Sequence, residues 1–279
     1  MAGRPDRLTL GLWIFLGLVG MYMLAPLALV IVGSVNPSTY GTFPFTGMTF
    51  HWYAHALFEV PEFRSGIRNS VVVAFGAAAL AVTLGTLAAY GLTRYRFRTR
   101  ELTRSFLLLP LIVPAIVFGA ALFLLYIRIG LYGTLTGLIL GHALLGLPFV
   151  VSIVAASLQT LGREYEEAAM DLGANPLRTF FTVTIPSVRP GLIVGALFAF
   201  VTSFDQVEVS LFLTRPRNNT LPIAMFNYEQ NYQDPTLAAI SAVLIGFTVL
   251  LVLVAVSLLK TQDYRRLIER SDGGEPRRR

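Results

Sequence analysis

Long apolar blocks with almost no charge decide what this chain can become. Six are visible, roughly Leu8–Gly33, Asn69–Thr93, Ser105–Ile127, Leu135–Leu158, Pro190–Leu213 and Leu237–Leu259. Each is near or above the ~18–20 residues that an α-helix needs to cross a bilayer. Their apolar residues follow neither a helical stripe nor a two-residue alternation, so a soluble amphipathic helix or a half-buried strand does not explain them. Pro26, Pro110, Pro114 and Pro148 lie inside the blocks. Membrane helices tolerate proline because neighbouring groups can take up the freed backbone carbonyls. The expectation is an all-α, polytopic membrane protein with six transmembrane helices.

Composition agrees. The 279 residues are 54% hydrophobic and 14% charged, where a soluble domain carries about 25% charge. The mean hydropathy is +0.64. There is no cysteine, which excludes disulfides, thiolate chemistry and cysteine-based metal sites. The net charge of +6 could suggest nucleic acid, but no basic stripe interleaved with aromatics is present. The first block follows Arg4 and Arg7. It exceeds the ~7–15 residues of a signal-peptide core and ends without a small-x-small cleavage pattern, so it reads as a retained span.

The placement of basic residues predicts orientation. Arg4 and Arg7, the Arg94–Arg104 cluster, Arg163, Arg178 and Arg189, and the basic residues from Lys260 onward fall on one side of the six blocks. Only Arg64, Arg68, Arg128, Arg215 and Arg217 fall on the other. The positive-inside rule therefore places both termini in the cytoplasm. Basic residues near the inner surface also attract anionic lipid, and the Arg94–Arg104 cluster is read in those terms. Of the outward loops, 34–68 holds Phe50, Trp52 and Tyr53, suited to interfacial anchoring. The loop 214–236 looks irregular, with Pro216, Asn218, Asn219 and Pro222. The tail 271–279 reads as disordered. The domain expectation is one permease domain over 1–270, with a core at about 69–260 and an inner loop at about 159–187.

That inner loop is the most informative segment. Glu164 to Leu172 has good helix propensity. Gly173 fits a C-cap, and Pro176 is expected to stop the helix. A second short helix over Leu177–Val183 leads to Ile185-Pro186. Glu164, Glu167 and Asp171 recur at three- and four-residue spacing and form an acidic stripe. Ala168 and Ala169 leave a bare face on which another protein can close in.

Glu167-Ala168-Ala169, then Gly173, then Val183-Thr184-Ile185-Pro186 resembles the EAA loop of ABC importer permeases. Val183 and Ile185 stand where the family often has Ile and Leu. The resemblance implies the type I ABC importer permease fold in a bacterial inner membrane. It implies that Glu164, Glu167, Ala168, Ala169, Asp171, Gly173 and Pro186 couple this chain to a dimer of ATP-binding subunits. A second permease, most often a different chain, and an external solute-binding protein complete the assembly. ATP and Mg are then held by the partner subunit. The sequence is consistent with that division, because a Walker A loop needs Gly-x4-Gly-Lys-Ser/Thr and the single lysine, Lys260, lies in Leu-Leu-Lys-Thr. No group suited to catalysis or to a resident metal is expected, and the chain is read as no enzyme.

The fifth block holds Thr202-Ser203-Phe204-Asp205-Gln206-Val207-Glu208. A carboxylate within a bilayer costs a few kcal/mol unless it faces water or a partner. On a continuous helix, Thr202, Asp205, Glu208 and Phe212 would share a face and line a path for a cation. Ser203 to Ser210, with Thr220-Leu221-Pro222 beyond, resembles the spermidine/putrescine branch of these permeases. Gln206 stands where that branch frequently has a second Asp. The resemblance implies import of a small, polyamine-like cation. Other solutes remain open (opines, quaternary amines, amino-acid derivatives, metal ions), as does an ion-coupled secondary transporter. His142 is read as a buried, hydrogen-bonded residue, and Glu229, Tyr232 and Asp234 as outer-loop contacts.

Overall fold

The structure, a computed structural model, describes residues 7–39 and 47–272. Among the described residues every regular element is helical. The order is α1 (Arg7–Gly33), α2 (His51–Ala54) with a π-helical turn (His55–Glu59), α3 (Pro61–Arg94), α4 (Arg100–Leu108), α5 (Ala115–Ile129), α6 (Leu135–Leu161), α7 (Glu164–Asp171), α8 (Pro176–Thr179), α9 (Ile185–Ser187), α10 (Arg189–Phe204), α11 (Glu208–Leu213), α12 (Leu221–Glu229) and α13 (Thr236–Asp272). Among the described residues four helices are long and apolar enough to cross a membrane unaided: Gly11–Gly33, Pro61–Arg94, Leu135–Leu161 and Thr236–Leu259. Two bent pairs bring the total to six if each is one span.

The bends correct the sequence expectation for blocks three and five. Block three is not one straight helix. Arg100–Leu111 and Ala115–Ile129 meet at 102°, and the break falls at Pro114, whose φ of −54° and ψ of 131° leave the helical region. Pro114 has no N–H to donate and pushes Val113 away from helical backbone. Alone, α5 is about 22 Å long, short of the ~30 Å hydrocarbon core. Block five begins with a 73° bend between Pro176–Ser187 and Arg189–Phe204. It breaks again after Phe204, with Asp205 as the C-cap residue of α10, and resumes at Glu208. Helix α3 starts at Pro61, eight residues earlier than the apolar pattern suggested. At 34 residues it is about 50 Å long and overreaches the hydrocarbon core. The expectation of a disordered 271–279 meets helix through Asp272; residues 273–279 lie outside the described residues.

The chain divides into two compact units, residues 1–64 with 225–247, and residues 65–224 with 248–279. In the first, Ser34 Oγ lies 2.6 Å from Tyr53 Oη, and Trp52 Nε1 donates to the Asn36 carbonyl at 2.8 Å. The aromatic pair thus anchors its own chain as well as providing amphipathic surface. Phe63 packs on Tyr228 with ring centroids 5.1 Å apart. Tyr228 donates to Asp234 Oδ2 at 2.9 Å, and Asp234 Oδ1 accepts the Thr236 N–H, also at 2.9 Å. Asp234 is therefore a structural cap for the start of α13. The window Gly11–Gly33 of α1 has no buried residue, so this apolar cylinder needs lipid or another protein around it.

In the second unit α6 is the central element. Val150, fully buried, sits between glycines: an added Cβ on Gly85 of α3 would lie 2.8 Å from Val150 Cβ, and one on Gly195 of α10 would lie 3.5 Å from Val150 Cα. Small residues let membrane helices approach this closely and gain dispersion contact, since lipid supplies no hydrophobic force between them. A further apolar cluster joins Val73, Leu122, Tyr126, Leu138, Leu145, Val209 and Leu213. It seats α5 and α11 against α3 and α6.

The loop 214–236 is less irregular than its Pro and Asn content implied. Arg215 Nη and Nε sit in a guanidinium that lies 4.5 Å over the Tyr132 ring. Asn218 Nδ2 donates to the Gly133 carbonyl at 2.8 Å, and its Oδ1 accepts from the Arg215 N–H at 2.9 Å. Asn69 Nδ2 donates to the Asn219 carbonyl at 2.9 Å. The asparagines pin the loop, and α12 follows directly.

Candidate functional site

The loop 162–188 is built by its end residues. Helix α6 stops at Gly162, where φ is +72°. Helix α7 then opens with Glu164, Glu166 and Glu167 in its first turn, where carboxylates complement the helix dipole. At its far end Gly173 has φ of +91°. The Gly173 N–H donates to the Met170 carbonyl at 2.9 Å, and the Ala174 N–H to the Ala169 carbonyl at 3.1 Å. That pair of bonds is a Schellman motif, which wants glycine at the left-handed position. Pro176 does not stop α7. It opens α8, capped by Asn175, whose Oδ1 accepts from the Arg178 N–H at 2.8 Å; proline suits a first helical position because its missing N–H is unneeded there. The second helix is composite: α8, a π-helical turn at Phe180–Thr184, then α9.

Gly173→Ala is expected to loosen this end of the loop by about 1 kcal/mol, the cost of placing a Cβ in left-handed backbone. Hydrogen exchange at Gly173 and Ala174 should then speed up about fivefold, with the spans unchanged.

Glu164, Glu167, Ala168, Asp171 and Gly173 are exposed, Ala169 is partly exposed, and Pro186 is half-buried. Around them stand exposed apolar side chains, Tyr165, Leu177, Phe181 and above all Leu172 at 90% exposure. These bare apolar groups lie beside the acidic stripe on one exposed face.

The opposite side of α7 holds what the sequence did not reveal. Glu166, 5% exposed, pairs with Arg94, 7% exposed, at 2.8 Å from Oε2 to Nε. Arg94 Nη2 donates to the Gly162 carbonyl at 2.8 Å, and Thr184 Oγ1 donates to Glu166 Oε1 at 2.8 Å. The Arg163 side chain in turn donates to the Arg94 carbonyl. Reading Arg94 only as an inner-surface charge was incomplete; it sits in a buried ion pair. One clue lay in the pattern. At about 100° per residue, position 166 points away from 164, 167 and 171, so its carboxylate had to face the protein.

The second group of predicted residues is arranged differently from expectation. Thr202 lies in α10, Asp205 ends it, and Glu208 opens α11 with Phe212 further along. No continuous helix joins them, so the shared face does not exist. Asp205 and Glu208 are both exposed and flank the break, while Thr202 and Phe212 are partly buried. The break is held by His142 of α6, 1% exposed. Its Nδ1 lies 2.9 Å from Ser203 Oγ and 3.1 Å from the Ser203 carbonyl, and its Nε2 lies 3.0 Å from Ser210 Oγ. A carbonyl only accepts, so Nδ1 carries the proton and Nε2 accepts from Ser210. One buried imidazole thus ties the last turn of α10 to α11. Gln206 is buried within the break, and its Nε2 has no hydrogen-bond partner. Among the described residues no group of three or more His, Asp or Glu is placed to hold a metal ion.

Comparison with known proteins shows the family and the fold. Residues 81–266 match the family described as binding-protein-dependent transport system inner membrane component. The chain is 31% identical over 254 residues to the putrescine transport system permease protein PotI of Escherichia coli strain K12, covering 88% of this chain and 89% of that one. It is 28% identical over 250 residues to the spermidine/putrescine transport system permease protein PotC of Haemophilus influenzae, covering 90% and 96%. Its fold is shared with a chain of a bacterial ABC transporter involved in import of the acidic polysaccharide alginate, with TM-score 0.70, 18% identity, and coverage of 94% and 98%. An ion-coupled secondary transporter is thereby set aside. This chain belongs to the family of binding-protein-dependent transport system inner membrane components, as a multi-pass permease subunit of an ABC importer.

Proposed function

We propose that this permease carries a small, polyamine-like cation from an external binding protein into the cytoplasm. In this reading residues 1–270 form one permease domain with both termini inside. The exposed face of α7 docks in a cleft of a cytoplasmic ATP-binding subunit, through Glu164, Glu167, Ala168, Ala169 and Asp171, with Gly173 and Pro186 fixing the loop. A dimer of those subunits binds ATP and Mg, and a second permease, a different chain, completes the pore. When the dimer closes, the loop moves and the spans exchange an inward-open for an outward-open state, a rigid-body form of alternating access. The relatives named for putrescine and spermidine support the cargo class.

The observation that carries the cationic reading is the break in block five. It presents two carboxylates, Asp205 and Glu208, to whatever solvent or solute reaches it. A kink exposes backbone and polar groups at membrane depth only where they line protein or water.

The test is uptake of labelled putrescine and spermidine by the complete transporter in lipid vesicles. Asp205→Asn should cut uptake by about tenfold, the loss of one charge-assisted contact, and Glu208→Gln by less. Uptake of both amines unchanged in the two variants, or no amine bound by the partner binding protein, contradicts the cargo.

A further inference from the structure

Arg94, Glu166 and Thr184 come from three parts of the chain: the C-terminal end of α3, the first turn of α7, and the π-helical turn that leads through α9 to α10. They meet at one buried point, with Glu166 Oε2 on Arg94, Glu166 Oε1 accepting from Thr184, and Arg94 donating to the Gly162 carbonyl. We infer that this cluster is the link by which movement of α7 is passed to α3 and α10, so that Arg94 and Glu166 are positioning residues for transport. The inference rests on the coupling role proposed for the loop.

The geometry carries it as follows. Helix α7 has eight residues and is joined to its neighbours at glycines, Gly162 and Gly173, both with positive φ. Each of these glycines lets the chain turn sharply but brings no side chain to pack the turn against its surroundings. A push on the exposed face would be absorbed there unless the opposite face were fastened to something. Glu166 is on that opposite face. Pulling it from Arg94 would leave a charge alone in a site closed to water, which is strongly disfavoured. The pair therefore moves as a unit, carrying the end of α3 with α7. The Thr184 hydroxyl draws the approach to α10 into the same unit. Block five, with its break at Asp205–Val207, lies at the far end of α10. A displacement of the loop thus has a stiff path to the helix whose end carries the candidate cargo carboxylates.

The experiment measures uptake and ATP hydrolysis together, on the complete transporter in vesicles. Glu166→Gln and Arg94→Met should lower uptake per ATP hydrolysed by about tenfold, as expected for losing a coupling contact. Arg94→Lys keeps the charge and should retain more of that ratio than Arg94→Met. Thr184→Val removes one hydrogen bond and leaves the ion pair intact; it should lower the ratio about threefold. If the charge variants fail to assemble, Thr184→Val carries the test alone. A ratio equal to the unmodified protein in Thr184→Val, and in each charge variant that assembles, overturns the inference. So does a proportional fall of uptake and hydrolysis, which is what a merely structural role gives. Ala168→Trp separates this from the docking reading. If docking is wrong, it leaves binding of the ATP-binding subunit unchanged. If only the link is wrong, it blocks binding while Glu166→Gln keeps its ratio.

Discussion

Gly85→Leu should leave almost no folded protein, while Gly91→Leu, less than two turns further along the same helix, should be tolerated. A Cβ at Gly85 would stand 2.8 Å from both Cβ and Cγ1 of Val150 and 3.5 Å from the Leu147 carbonyl. Val150 cannot retreat. It is fully buried, β-branched and stiff at χ1, and the backbone beside it is approached from the other side by Gly195 of α10. Forcing a larger side chain into such a packing costs about 3 kcal/mol, a large share of a typical domain's total stability. At Gly91 nothing lies within 4 Å of the added carbon, and leucine gains up to about 1 kcal/mol of helix propensity over glycine. Yield of monodisperse protein in detergent, with thermal unfolding of whatever is obtained, checks both. Equal yields of the two variants would mean that α3 and α6 do not pack through Gly85 and Val150.

His142→Ala should be the most damaging change to a polar residue outside the inner loop. It removes the partner of Ser203 Oγ, the Ser203 carbonyl and Ser210 Oγ at once. Individual hydrogen bonds between membrane helices contribute only about 0.6–2 kcal/mol. Here the shared Nδ1 contact to both Ser203 oxygens and the Nε2 contact to Ser210 are lost together with the volume of a fully buried ring, whose cavity adds a comparable penalty. The expected destabilisation is about 3 kcal/mol. His142→Gln, which keeps a donor and an acceptor, should recover part of it. Because the same ring ties α10 to α11 across the break, His142→Ala should also make Asp205 and Glu208 adopt more than one position, seen as lost protection from hydrogen exchange at Asp205 and Leu211, whose N–H groups donate to the Val201 and Val207 carbonyls. Unfolding of His142→Ala at the same temperature as the unmodified protein would contradict this account of the break.

The sequence made some of this arrangement legible and hid the rest for definable reasons. Apolar length alone reveals a span, so all six blocks correspond to helical segments. The inner loop was legible because Gly173 is a local requirement: a Schellman end needs a residue that accepts positive φ, and glycine announces it. The breaks were not legible. Pro26 and Pro148 lie inside continuous helices, whereas Pro114 stands in a break, as the N-cap residue of α5. The same ring is tolerated or disruptive according to what the neighbouring helices supply, and hydropathy does not record that. The acidic face proposed for block five failed on the same point, since a spacing argument presumes an unbroken helix between Thr202 and Phe212. Asn175 and Pro176 illustrate a smaller error of direction: proline closes one helix or opens the next with equal ease, and the asparagine before it decides for opening. The Arg94–Glu166 pair spans 72 positions of chain, and no local pattern marks it beyond the odd placement of Glu166 on α7.

The central claim is that the exposed face of α7 lies in the cytoplasm and is covered by an ATP-binding subunit. The chain has no cysteine, so Ala168→Cys creates a single reactive position on that face. Labelling it with a membrane-impermeant thiol reagent in right-side-out and inside-out vesicles, with and without the ATP-binding subunit, is the most direct measurement. The account predicts labelling only in inside-out vesicles and strong protection once the subunit is bound. Labelling from the outside, or labelling from the inside that the bound subunit leaves unchanged, would contradict it.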